Sequence, residues 1–87
     1  MYEIFNKKAT KFGTDLGNSI AKGLDSGVSP ETMARIYRGQ MSTAYNTINS
    51  TCPNKMQAKN LFDDVKLSSQ FAISSRGYNV KTFIASA

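Results

Sequence analysis

Apolar residues recur every three or four positions along three segments of the chain, and this spacing is typical of one face of an α-helix. The segments span residues 1–24, 30–50 and 54–76. The pattern predicts an all-α fold in which an N-terminal amphipathic helix precedes two further helices. The repeating apolar positions of the first segment are Phe5, Ala9, Phe12, Leu16, Ile20 and Leu24.

The first segment also contains three glycines: Gly13, Gly17 and Gly23. Each glycine costs up to about 1 kcal/mol relative to alanine inside a helix. We therefore expect this helix to be weak in isolation, or broken, and to need a surface to lie on. The polar side mixes Ser, Thr and Asn with its lysines, which disfavours binding to a membrane surface.

The second helix has clear start and stop signals. Ser29 is a good N-cap, Pro30 is tolerated at the first helical position, and Glu31 lies in the first turn. Pro53 stops the helix because proline lacks an amide proton and pushes the preceding residue, Cys52, out of the helical region. This helix is expected to run from residue 30 to about residue 50.

The third helix carries two apolar stripes. The second stripe consists of Leu67, Phe71 and Ser74. A short connection favours an antiparallel hairpin with the second helix, so the first stripe is expected to close the hairpin. The second stripe then meets either the N-terminal helix or another subunit, and Gly77 ends the helix. Residues 80–87 form a tail to which the pattern assigns no structure. The first stripe consists of Ala58, Leu61, Phe62, Val65, Ser69 and Ala72.

Composition narrows the function. The 87 residues predict one domain of marginal stability, for which association of subunits is a natural remedy. The chain has no histidine, a single cysteine and six carboxylates, which disfavours a metal site, a cofactor and an enzyme. The pattern shows no apolar run that would span or enter a membrane, so we expect a cytoplasmic protein. The net charge of +5 favours anionic partners such as phosphodiesters.

Part of the second half resembles a known family. The matching positions are Arg38, then Ile48 ten residues on, then the Cys52-Pro53 break, and then Phe71-Ala72. They resemble the phage anti-CBASS cyclic-oligonucleotide sponges of the helical, hexameric type. The resemblance covers about half of the chain. It departs from the family at residues 54–57 and at the position of the terminal arginine.

The resemblance implies a phage immune-evasion protein. Such a sponge captures the cyclic nucleotides of bacterial CBASS immunity, in the host cytoplasm, and cleaves no bond. The implied partners are cyclic dinucleotides such as 3′,3′-cyclic GMP-AMP, held between two protomers of a hexamer, and in some members cyclic trinucleotides. No cofactor is implied.

The candidate nucleotide-binding residues are cations and one aromatic residue. Lys22 and Arg38 are the phosphate candidates, and Arg76 and Tyr78 are the candidates for a second site near the C-terminus. Arg35 lies one turn from Arg38 and either shares the anion or pairs with Glu31 on its own helix. No metal-binding or catalytic residue is expected.

Two other functions stay open. The run from Gly27 to Ile36 is similar to the turn and recognition helix of a helix-turn-helix regulator, in which Thr32, Arg35 and Arg38 would approach the major groove of DNA. The other is an interaction protein that binds and blocks a host enzyme through the stripe that contains Leu67 and Phe71.

Overall fold

The computed structural model describes residues 2–81, and side chains from residue 6 onward. This part of the chain contains no strand, so the predicted all-α class is confirmed. The last six residues of the tail predicted over 80–87 lie outside the described residues. The helices are α1 (Tyr2–Asp25), α2 (Pro30–Thr51) and α3 (Lys55–Ser75).

Side-chain caps fix the starts of α2 and α3. The Ser29 hydroxyl accepts a hydrogen bond of 3.2 Å from the amide of Thr32, which confirms Ser29 as the N-cap. Asn54 lies outside α3, although we predicted that it would be the first helical residue. Its side-chain oxygen accepts a hydrogen bond of 2.9 Å from the Met56 amide, so Asn54 is the N-cap. Each cap gives a partner to amides that the helix itself leaves unpaired.

Glycines terminate α1 and α3 in the same way. Gly27 and Gly77 both have positive φ, at 94° and 92°, a conformation that is costly for residues with a β-carbon. The amides of Val28 and Tyr78, one residue further on, donate to the carbonyls of Gly23 and Ile73. This is the Schellman arrangement, and it confirms Gly77 as a terminator.

Helix α1 is continuous, and two of its glycines bring it close to α3. A β-carbon at Gly13 would lie 3.1 Å from the carbonyl carbon of Val65, and one at Gly17 would lie 2.6 Å from the β-carbon of Ala72. The alternative of a broken helix is therefore wrong, and the helix lies on a surface as expected. These glycines permit backbone contact with α3, and that packing offsets their low helix propensity.

The order of contacts gives the relative directions of α1 and α3. Asn6 near the start of α1 donates a hydrogen bond to Asp64 in the middle of α3, and Arg76 at the end of α3 donates one to Asn18 in the C-terminal half of α1. Later residues of α1 therefore meet later residues of α3, so the two helices run parallel. Helix α2 runs in the opposite direction and connects the end of α1 to the start of α3.

The face of α3 that meets α1 belongs to the first predicted stripe. Val65, Ser69 and Ala72 are buried there, whereas Leu67 and Phe71 of the second stripe are 64% and 75% exposed. The alternative in which the N-terminal helix covers the second stripe is therefore wrong. Helix α1 uses small residues of the first stripe because only these let two backbones approach closely.

Helices α2 and α3 meet in the opposite sense. The Tyr37 hydroxyl lies 2.7 Å from the Ser69 hydroxyl, and further along α2 the Tyr45 ring packs edge-on against Phe62 at 5.3 Å between centroids. The Ser69 hydroxyl donates a hydrogen bond of 2.9 Å to the Lys66 carbonyl, and it therefore accepts the hydrogen bond from the Tyr37 hydroxyl. Both polar groups are thus satisfied inside the core.

Helices α1 and α2 contact each other close to the connecting turn and border an open groove further away from it. Met33 packs against Gly23 close to the connecting turn, while Phe12 and Thr47 line one groove well away from it. The whole body measures 39 × 20 × 17 Å, so the long helices follow its long axis. Among the described residues, no helix has the combined length and apolar character that crossing a membrane requires.

Candidate functional site

The C-terminal end of α3 brings a cation and a tyrosine against the end of α1. The Arg76 Nε donates a hydrogen bond of 3.2 Å to Asn18, and its Nη1 lies 3.9 Å from a carboxylate oxygen of Asp25. The Tyr78 hydroxyl donates to the same carboxylate. We call these residues, together with Lys22, the Arg76 cluster.

Local structure fixes this arrangement. Arg76 is the C-cap of α3, and the positive φ of Gly77 turns the chain so that Tyr78 lies beside α1. Without that turn the helix would carry Tyr78 away from Asp25. Arg76 and Tyr78, which are two residues apart, therefore both approach Asp25 at the end of α1.

Asp25 determines the electrostatics of the cluster. Its hydrogen bond with the Tyr78 hydroxyl raises the pKa of Tyr78, and the negative charge of Asp25 acts in the same direction. The positive charge of Arg76 opposes this rise. Tyr78 is therefore a neutral hydrogen-bond donor near pH 7.

Lys22 adds a second cation. It lies in the last turn of α1, one helical turn from both Asn18 and Asp25, and is exposed. Its charge stabilises the C-terminal end of α1 in the absence of any ligand. Two cations and one carboxylate leave the cluster with a net positive charge, which suits a phosphate group.

A cleft of about 310 Å³ borders the cluster. Tyr78 belongs to both, and Asn79 supplies an amide at the rim. The remaining walls are formed by the end of α1, the connecting turn and the start of α2. The cleft thus places apolar surface next to hydrogen-bond donors. Its other lining residues are Leu24, Gly27, Val28, Ser29 and Pro30.

Arg35 and Arg38 do not join the cluster. Both are exposed on α2, where the buried face carries Met33 and Tyr37 instead. Among the described residues, neither arginine forms an ion pair, so the predicted alternative partner, Glu31, does not hold Arg35. The five candidate residues therefore divide into a group of three and a separate pair.

Sequence reasoning missed Asn18 and Asp25. The spacing of residues 18, 22 and 25 places all three on one side of a helix, and that pattern was available from the sequence. What the sequence did not reveal is the parallel pairing of α1 with α3. Only that pairing brings Arg76 to Asp25.

Tyr37 and Cys52, two further side chains with reactive or hydrogen-bonding groups, are engaged in packing between the helices. The Tyr37 hydroxyl is buried against Ser69. Burial raises the pKa of Tyr37, and the hydrogen bond with Ser69 offsets only part of that rise. Cys52 is half-buried at the turn between α2 and α3. Within the described residues, no group of three or more side chains is placed to hold a metal ion.

No protein-family model, curated protein or solved structure matches this chain.

Proposed function

We propose that this chain binds cyclic dinucleotides and sequesters them without cleaving them, as a phage protein that acts against bacterial CBASS immunity in the host cytoplasm. The observation that carries the proposal is that Tyr78 lines a mainly apolar cleft and shares the Asp25 carboxylate with Arg76, while Lys22 lies one helical turn before Asp25. The resemblance through Arg38, Ile48 and Cys52-Pro53 supports the same function.

The chemistry of the ligand fits the two halves of this site. A phosphodiester requires cations and hydrogen-bond donors, and a purine requires a flat apolar wall. Arg76 retains N–H groups that are not directed at Asn18, because a guanidinium carries five donors. The Tyr78 ring and Val28 supply apolar surface in the cleft.

The size of the cleft favours a site shared by two copies. Its volume of about 310 Å³ lies at the lower end of the range for small-molecule sites. A cyclic dinucleotide carries two bases and two phosphates, so one cleft holds only half of it. We propose that a second copy holds the other half, and that the copies assemble into a hexamer through the exposed stripe that contains Leu67 and Phe71.

Sequestration without catalysis is supported by the available side chains. The chain contains no histidine, and none of the described residues that line the cleft is an Asp, Glu, Lys, Arg or Cys. An arginine does not release its proton near neutral pH. Binding then depends on charge and shape alone, and the ligand leaves unchanged.

The helix-turn-helix alternative finds less support. That motif requires two helices that cross steeply at a short turn. Here α1 and α2 are each longer than the 20 Å and 17 Å widths of the body, so both follow its long axis and do not cross steeply. Arg35 and Arg38 are exposed, which suits DNA contact but equally suits a solvated surface.

The test is isothermal titration calorimetry with 3′,3′-cyclic GMP-AMP. Arg76→Gln and Tyr78→Phe should each weaken binding by about tenfold, since each removes a charged or donor group worth about 1–2 kcal/mol. Lys59→Gln, an exposed change on α3 away from the cleft, is the matched control. Heat denaturation of the complex should then release intact ligand, as seen by chromatography.

Failure of this experiment has distinct meanings. Absence of heat with the unmodified protein refutes the proposed function. If Arg76→Gln leaves the affinity unchanged, the binding site lies elsewhere on the protein. If Arg38→Ala abolishes binding, the site lies on α2. If the protein instead shifts duplex DNA in a low-salt gel, and Arg35→Ala abolishes that shift, the helix-turn-helix regulator is favoured.

A further inference from the structure

A second concave site lies at the other end of the bundle, between α1 and α2. It is a groove of about 360 Å³, within the size range of small-molecule sites. It exists because the glycine contacts draw α1 towards α3, and because small residues such as Ala9 and Ala44 form its sides. Its floor is formed by Leu61 and Val65 of α3.

The walls are almost wholly apolar. The Thr43 and Thr51 hydroxyls donate to the carbonyls of Gly39 and Thr47 one turn earlier, at 3.1 and 2.8 Å, so their protons are already used. Phe12 contributes ring surface at the mouth and is 40% exposed. A ligand in this groove therefore has an apolar body.

The rim carries a positive charge. Lys8 is the charged member of the described lining, and no carboxylate is among the lining residues that the structure describes. Lysine commonly lays its methylene groups along apolar surface and keeps its ammonium group in water. An anionic head group at the mouth would thus meet a cation, while the attached chain lies inside.

We propose that this groove binds a free medium-chain fatty acid, with the acyl chain along α2 and the carboxylate at Lys8. The row of threonines from Thr43 to Thr51 extends for about 12 Å at 1.5 Å per residue, which suits an acyl chain of about ten carbons. The site is distinct from the Arg76 cluster, and nothing in this inference depends on the proposed function.

Cys52 provides a reporter because it lines the groove and is the single cysteine of the chain. The experiment measures the rate at which Ellman's reagent modifies Cys52, with and without decanoate, together with calorimetry of decanoate binding. Decanoate should slow the modification. The methyl ester of decanoate should bind without any contribution from Lys8.

Two pairs of variants test the two halves of the site. Lys8→Met should weaken decanoate binding about threefold, the value of one exposed ion pair, and should leave the ester unaffected. Lys11→Met, one turn away and outside the lining, is its control. Thr47→Phe should fill the groove and weaken both ligands by about tenfold or more, while Asn46→Phe should not.

Three results would overturn the proposal. The first is decanoate that neither produces heat nor protects Cys52. The second is equal binding by Thr47→Phe and Asn46→Phe. The third is a self-association, seen by light scattering, that Thr47→Phe abolishes while decanoate has no effect, since the groove would then be an interface between copies. Circular dichroism of each variant establishes that it is folded.

Discussion

Gly17 and Ala72 bring the first and last helices of the described chain together: a β-carbon added to Gly17 would lie 2.6 Å from the β-carbon of Ala72. Real β-carbons do not approach so closely, and Ala72 belongs to a helix backbone that cannot move independently. The interface between α1 and α3 therefore depends on the absence of a side chain at residue 17.

Gly17→Ala should lower the free energy of unfolding by roughly 1–3 kcal/mol, the usual cost of overpacking a tight interface. Gly39→Ala is the matched control because a β-carbon there has no neighbour within 4 Å. That change should raise stability by about 0.5–1 kcal/mol through helix propensity. Urea unfolding of both variants measures the difference, and equal effects would contradict the packing argument.

The burial of Tyr37 should make the stability of the protein fall at high pH. Burial raises the pKa of Tyr37 in the folded protein, so the unfolded chain loses this proton first, near pH 10. The contribution is complete below pH 10 and declines as pH rises towards the folded pKa. Tyr37→Phe should show a shallower decline than the parent protein when urea midpoints at pH 8 and 10.5 are compared.

The N-cap of α3 can be tested by Asn54→Ala. This change leaves the amides of Met56 and Gln57 without their side-chain acceptor and should cost about 1 kcal/mol. Asn60→Ala, in the exposed middle of the same helix, is the control and should be neutral or slightly stabilising. Thermal unfolding by circular dichroism distinguishes them, and identical midpoints would argue against the cap.

Asp25 should oppose ligand binding at the Arg76 cluster, a prediction that rests on the proposed function. Its carboxylate accepts a hydrogen bond from the Tyr78 hydroxyl and lies near Arg76. A phosphate that enters the cluster would therefore be repelled by the negative charge of Asp25. Asp25→Asn should tighten binding of 3′,3′-cyclic GMP-AMP by about threefold, the scale of one exposed charge interaction. Weaker binding in calorimetry would mean that Asp25 holds the site in its binding geometry.

The exposed stripe should mediate self-association. Replacing Leu67 and Phe71 together by serine removes two large apolar groups that are 64% and 75% exposed. Light scattering should then report a monomer in place of the proposed hexamer, with an unchanged helical circular dichroism spectrum. Lys59→Ser is the control at an exposed polar position of the same helix. A monomeric parent protein would exclude the assembly altogether.

The helices and their ends could be predicted because their causes are local. The cap at Ser29, the break at Pro53 and the terminator at Gly77 each act within a few residues. The functional surface was less accessible to sequence reasoning. Lys22 was assigned to a different pocket from Arg76 because nothing in the periodicity tells which helices will be neighbours.

The glycines of α1 suggested a broken helix, and that alternative is wrong. Helix propensity counts Gly13 and Gly17 as costs, and it carries no information about a partner surface. The four-residue spacing between them places both on one side of α1, where Gly13 meets the backbone carbonyl of Val65 and Gly17 meets the small side chain of Ala72. The same residues that weaken the isolated helix thus specify its partner.

The parallel pairing of α1 and α3 affects how the protein folds during its synthesis. During synthesis, the ribosome completes α1 and α2 before the residues that pack on Gly13 and Gly17 exist. Helix α1 then displays its glycine-lined side to solvent until α3 emerges. The final architecture therefore depends on the synthesis of α3, and truncation within α3 should leave the nascent protein without a stable core.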